Sequence, residues 1–165
     1  PCVQTHTIPA MSKRLRDEIK QMRPFTSLEQ EAFLSIGRTW AVLDHGMAEA
    51  LKPHGITPTQ YNVLRILRGA GEEGLCRGEI MDRMIARVPD ATRLLDRMGG
   101  AGLVERERSD VDRRFVTTRI TAEGRRVLAE LDEAVPALHK RQFEGLAEEE
   151  LRTLIDLLGR VRESA

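Results

Sequence analysis

Residues 85–98 read Ile-Ala-Arg-Val-Pro-Asp-Ala-Thr-Arg-Leu-Leu-Asp-Arg-Met, and their reading decides the rest of the chain. Ala91, Leu94, Leu95 and Met98 recur at i, i+3, i+4 and i+7, the spacing of one buried stripe on an α-helix. The opposite face carries Asp90, Thr92, Arg93, Asp96 and Arg97. Proline is tolerated only in a helix's first turn, so this helix begins within Val88-Pro89-Asp90. Gly99, Gly100 and Gly102 end it; a glycine inside a helix costs about 1 kcal/mol, so the last turn is weak.

Working outward, Ile85-Ala86-Arg87 reads as a turn, preceded by a short helix from Cys76 to Met84 with Ile80 and Met84 inward. Before a Gly69–Gly74 loop stands another helix, opened by Thr57-Pro58-Thr59-Gln60. Thr57 is a good N-cap, Pro58 suits the first helical position, and Gln60 completes a capping box. Tyr61, Leu64 and Leu67 face inward, with Val63 and Ile66 adding width. Downstream, residues 103–108 and 115–120 form a hairpin; Val116, Thr118 and Ile120 alternate with Phe115, Thr117 and Arg119, the period of two of a half-buried strand. Its tip is Ser109-Asp110-Val111-Asp112-Arg113-Arg114. Helix, helix, turn, helix and basic-tipped hairpin make a winged helix-turn-helix, a device that puts one helix in a DNA major groove and a loop beside it. The fold class is mainly α with a small β-hairpin wing.

The flanks are helical. Ser12 to Arg23 forms a short helix with Leu15, Ile19 and Met22 on one face, ended by Pro24. Ser27 with Gln30 starts a long helix whose seam is Phe33, Ile36, Trp40, Leu43, Met47 and Ala50. It stops before Pro53. Thr121 caps a second long helix, with Leu128, Leu131, Val135 and Leu138 in its seam and a bend at Pro136. A last helix, Glu148 to Arg162, carries Leu151, Leu154, Ile155, Leu158 and Val161. These seams exceed what one winged lobe covers, so a second copy is expected. The organisation is an extension over 1–26, a dimerisation region over 27–55 and 122–165, and a DNA-binding lobe over 56–121.

The 165 residues are 41% hydrophobic and 32% charged, which excludes a disordered chain. No apolar run reaches membrane-spanning length and no signal peptide is visible. With two cysteines, Cys2 and Cys76, a disulfide framework is not expected, and the natural compartment is the cytoplasm. Formal net charge is zero, but it is unevenly spread. Residues 77–126 hold 12 Arg against 9 Asp and Glu, an excess of 3 positive charges. Residues 127–165 hold 5 Lys and Arg against 9 Asp and Glu, an excess of 4 negative charges. A dimer sets two copies of the basic segment side by side.

Catalytic chemistry finds no support. His6, His45, His54 and His139 lack metal spacing, and the Gly69–Gly74 loop joins two helices instead of following a strand. No cofactor and no metal are expected, and Cys76 reads as a structural thiol. The candidate groups are those of a DNA binder. An arginine fork suits a narrow, negatively charged minor groove, and Asp112 two residues before Arg114 holds that fork in place. Arg108 and Arg113 suit phosphates. Thr92 and Arg93 suit base edges or phosphates, and Arg87 and Pro89 lie at the entry to the same helix. Asp90 either caps that helix or accepts from a cytosine amine. A winged-helix protein-interaction module without DNA is the alternative, favoured by the zero net charge.

The chain resembles the MarR family of transcriptional regulators. The family's wing signature, Asp-x-Arg, five residues, then Leu-Thr, stands here as Asp112-Arg113-Arg114, five residues, Ile120-Thr121, with Ile for Leu. Thr-Arg-Leu-Leu-Asp-Arg-Met at 92–98, running into Gly102-Leu103-Val104-Glu105-Arg106, is similar to the family's recognition helix and wing. The likeness covers residues 28–162. It implies a homodimer with interdigitating first and last helices, and two lobes on a pseudo-palindromic double-stranded operator. It also implies repression released by a small phenolic or lipophilic ligand, or by oxidation. Oxidation-sensing members carry their reactive cysteine in the first long helix, where this chain has none. The effector pocket of the family lies where dimer helices meet lobe; Trp40 and His45, with Tyr61 and Asn62, are the groups expected to reach it.

Overall fold

The computed structural model describes residues 11–108 and 116–164. Their elements are α1 (Met11–Glu18), α2 (Leu28–Leu51), α3 (Pro58–Gly69), β1 (Leu75–Cys76), α4 (Arg77–Asp82) and α5 (Ala91–Gly100), followed by β2 (Val104–Arg108), β3 (Val116–Ile120), α6 (Ala122–Leu131), α7 (Ala134–Gln142) and α8 (Glu148–Glu163). The chain forms two compact units, Pro1–Asp44 and His45–Ala165.

In the first unit α1 ends well before Pro24, short of the expected Arg23. Lys20 has φ of +53°, in the left-handed region, and breaks the helix there. Ile19 and Met22 therefore leave the expected stripe and are exposed, while Leu15 is buried. Arg38 on α2 pairs with Glu18 at 3.3 Å. The start of α2 uses Ser27 as expected: its Oγ accepts from the Gln30 N–H at 3.2 Å. The Gln30 side chain does not return to Ser27. Its Oε1 accepts instead from the Thr26 N–H and hydroxyl, at 2.7 and 3.0 Å.

The second unit holds the core. Leu51, Val63, Leu64, Leu67, Ile80, Leu95, Met98, Leu128 and Leu131 are fully buried. Removing a Leu or Ile side chain from water contributes about 1.5–3 kcal/mol, so these nine outweigh any surface pair described below. Before α3, Lys52–His54 makes a 3₁₀ turn that ends at Gly55. The α3 capping box is complete: Thr57 Oγ1 accepts from the Gln60 N–H at 3.3 Å, and Gln60 Oε1 from the Thr57 N–H at 2.9 Å.

Two features depart from the sequence reading. The segment expected as one helix from Cys76 to Met84 begins as a strand. Leu75 and Cys76 pair antiparallel with Thr118 and Thr117, so the wing is a three-stranded sheet in the order β1-β3-β2, larger than a hairpin. Gly74, at φ of +71°, permits this closure: a Cβ there would stand 2.6 Å from the Thr118 carbonyl oxygen. The helix after Thr121 is also broken, between Leu131 and Ala134, where a bend at Pro136 was expected. Pro136 has no N–H to donate to the Asp132 carbonyl, so α6 stops and α7 begins with the proline in its first turn.

β2 and β3 pair from Val104↔Ile120 to Arg108↔Val116. Thr118 and Ile120 face the core, as their alternation requires. Thr121 caps α6 through a 3.1 Å bond from the Gly124 N–H, and its hydroxyl donates to the Gly102 carbonyl at 2.6 Å. α8 spans the expected residues, yet none of its side chains is buried.

Candidate nucleic-acid interface

α5 is seated by its apolar stripe: Ala91, Leu94, Leu95 and Met98 are all buried. Its first turn is fixed by Asp90, whose Oδ1 accepts from the Arg93 N–H at 2.9 Å. The carboxylate caps the positive end of the helix, where a negative charge is stabilising. Of the two roles open to Asp90 in the sequence, the geometry provides for capping. The turn that delivers the chain to α5 hangs from α3: the Ile85 N–H donates to Asn62 Oδ1 at 3.1 Å.

With these contacts made, one face of α5 and its approach are left to solvent. Arg87, Pro89, Thr92, Arg93 and Arg97 are exposed. Among the described residues, the side chains of Thr92, Arg93 and Arg97 have no hydrogen bond or ion pair, so their donors are available to a ligand. Arg97 was left out of the sequence-derived site. Its signal was present, four residues after Arg93 on the same helix face.

The sheet stands beside α5. Arg108 is exposed at the outer end of β2; Asp112, Arg113 and Arg114 lie outside the described residues. Two arginines that the sequence reading did not single out anchor the wing. Arg106 on β2 pairs with Asp96 on α5. Arg119 on β3 donates from Nη1 to Glu107 Oε2 at 2.7 Å and from Nε to the Glu72 carbonyl at 2.8 Å. Pairs ten or more residues apart across a turn leave no periodic trace.

The four groups nominated for an effector have different settings. Trp40 is 54% exposed and His45 is exposed, both on α2. Tyr61 is core, with the Arg65 guanidinium 5.9 Å from its ring centre. Burial pushes its phenol above the usual tyrosine range. Asn62 supports the Ile85 turn and also lines a hollow of about 730 Å³ bounded by Arg65, Ile66, Arg83 and Ile85 among others. Among the described residues no His, Cys, Asp and Glu cluster is placed to hold a metal, and no helix is long and apolar enough to cross a membrane.

An arginine-bearing helix, seated by its apolar side and flanked by a wing, defines a winged helix-turn-helix DNA-binding regulator. The MarR family pattern matches residues 54–114. The repressor IacR of Pseudomonas putida is 31% identical over 124 residues, 72% of this chain and 73% of its own length. A mutant MarR from E. coli, solved in complex with operator DNA, is 27% identical with a TM-score of 0.73, covering 82% of this chain and 99% of that one. CouR from Rhodococcus jostii RHA1, solved with bound p-coumaroyl-CoA, is 26% identical with a TM-score of 0.68, covering 83% and 95%. The chain belongs to the MarR family, whose members are transcriptional regulators and not enzymes.

Proposed function

We propose that the chain is a cytoplasmic homodimeric repressor that occupies a pseudo-palindromic operator and leaves it when a small aromatic or lipophilic effector binds. The observation that carries the DNA half is the α5 face: Thr92, Arg93 and Arg97 are exposed and their side chains have no partner among the described residues. Arg87 and Pro89 extend that face, with Asp90 holding its first turn. Arg108, Arg113 and Arg114 reach phosphate and minor groove from the wing, Asp112 steadying Arg114. The operator complex of the E. coli relative and the repressor role of IacR support this reading.

The dimer half rests on apolar side chains left exposed. Phe33, Ile36 and Trp40 on α2 are 77%, 44% and 54% exposed, and Ile155 and Val161 on α8 are 66% and 51%. Exposed apolar surface of this kind on each helix marks an interaction site. A second copy meets it with the same residues, which a two-fold interface requires. The p-coumaroyl-CoA bound to CouR supports an effector, and Trp40, His45, Tyr61 and Asn62 are the groups proposed to sense it. By linkage, a ligand that releases DNA must bind the free dimer more tightly than the DNA-bound one.

Gel-shift titration of a duplex selected by the chain from a random pool tests the reading at two salt concentrations, with light scattering on the same sample. The expected result is a dimer mass and an affinity that falls steeply with salt. A monomeric mass at micromolar concentration, or binding indifferent to salt, overturns it.

A further inference from the structure

The recognition helix carries an acidic residue on the side meant for DNA. Asp96 follows Arg93 by three positions and precedes Arg97 by one, and its side chain is 59% exposed. A bare carboxylate there faces a phosphate backbone of like charge, which suppresses docking. The other acidic group of this face, Asp90, is engaged as the helix cap. Asp96 has no such backbone duty. Its partner is Arg106, which arrives from the first wing strand and is only 24% exposed.

We propose that Arg106 is a positioning residue for DNA docking. By pairing with Asp96 it masks the acidic charge on the recognition helix and ties strand β2 to that helix. The assignment rests on the DNA-binding reading above.

Three observations carry it. First, the link between α5 and β2 is the short turn Ala101-Gly102-Leu103, with Gly102 at φ of +71°, and the Asp96–Arg106 pair bridges it from helix to strand. Second, Arg106 is poorly placed as a phosphate contact itself: its Nε is buried and has no partner among the described residues, while its outer nitrogen meets Asp96. Third, the opposite side of the sheet has its own tether. Arg119 reaches the Glu72 carbonyl and, across to β2, Glu107. With Arg106 on one side and Arg119 on the other, helix and wing approach DNA as one body. The carboxylates of these pairs are 59% and 71% exposed and keep much of their hydration, so the pairs contribute little to folding.

The full chain is compared with R106Q, R106K, D96N and the double variant D96N/R106Q. Each is titrated on the duplex selected by the parent and on a random duplex of equal length, with thermal melting followed in parallel. R106Q is expected to lose about tenfold or more in affinity for the selected duplex while melting like the parent. R106K keeps the charge and stays within about threefold. D96N/R106Q recovers the part of the loss due to the unmasked carboxylate and stays below the parent by the part due to the lost tie; a residue acting only through folding would not be rescued this way. R106Q binding like the parent overturns the assignment, as does a double variant no better than R106Q, which makes Arg106 a direct DNA contact. Should R106Q melt early, D96N decides: it must bind the random duplex more tightly than the parent, and unchanged or weaker binding overturns the proposal. If the parent itself retains no duplex, the regulator reading falls and this one with it. If the parent binds and only these variants disagree, this one falls alone.

Discussion

α5 and α8 carry the same pattern and meet opposite fates. In α5, apolar residues at 91, 94, 95 and 98 are 7%, 4%, 0% and 0% exposed. In α8, residues 151, 154, 155 and 158 repeat the spacing, yet none is buried and Ile155 is 66% exposed. Helical periodicity therefore states that a stripe exists and says nothing of what covers it. The lobe supplies its own cover for α5 from α4 and β2. The stripe of α8 is left for another surface.

The largest test of this contrast is Leu95→Ala. It should cost about 2–5 kcal/mol in denaturant unfolding, because the cavity lies in a closed core. The loss should be independent of protein concentration. Ile155→Ala should cost less, and its cost should grow with protein concentration, since burial between copies is stabilised by mass action. Equal, concentration-independent losses at both positions would abolish the distinction between the two stripes.

The exposed side of α5 gives the next effect. Arg93→Ala should weaken binding to the selected duplex by about 1–3 kcal/mol while leaving the melting temperature in place. A melting shift instead would return Arg93 to the fold. Asp90→Ala acts on the other side of the comparison. It removes the cap and should cost about 1 kcal/mol of stability, read by thermal melting. A variant that melts like the parent would mean that the buried stripe alone holds the first turn.

The smallest effect concerns Glu79 at the start of α4. Its carboxylate accepts from the Cys76 N–H at 2.8 Å, and this bond holds its pKa below the ordinary 4.5. A lowered folded pKa contributes stability that is fully present above 4.5 and is lost as pH falls through the folded value. Glu79→Gln should flatten the acid limb of the stability curve slightly below pH 4.5 and leave the neutral region unchanged. An identical acid limb in both proteins would remove the cap from the account.

Local signals were legible, and pairings between distant residues were not. Thr57, Gln60, Asp90 and Thr121 announced their helices because capping is decided within three residues. The buried face of α5 and the inward side of β3 followed from periods of 3.6 and 2. β1 escaped because two residues carry no period, and Leu75 and Cys76 become a strand only by meeting β3 more than forty residues later. The break before α7 was misplaced because proline was read as bending a helix where it starts a new one. Of the site, Thr92 and Arg93 were legible as an exposed face. Arg106 and Asp96 were not singled out, since nothing in either neighbourhood names the other.

The bond from Ile85 to Asn62 has a consequence for how such a protein changes over generations. Because the turn is held from α3, and the first turn of α5 by Asp90, the side chains of Thr92, Arg93 and Arg97 make no hydrogen bond or ion pair among the described residues. They are free to drift. A new target sequence can be acquired by exchanging two or three side chains on an unchanged frame, without a compensating change elsewhere. Asn62 and Asp90, which never need to touch a base, are the residues whose loss such a lineage can least absorb.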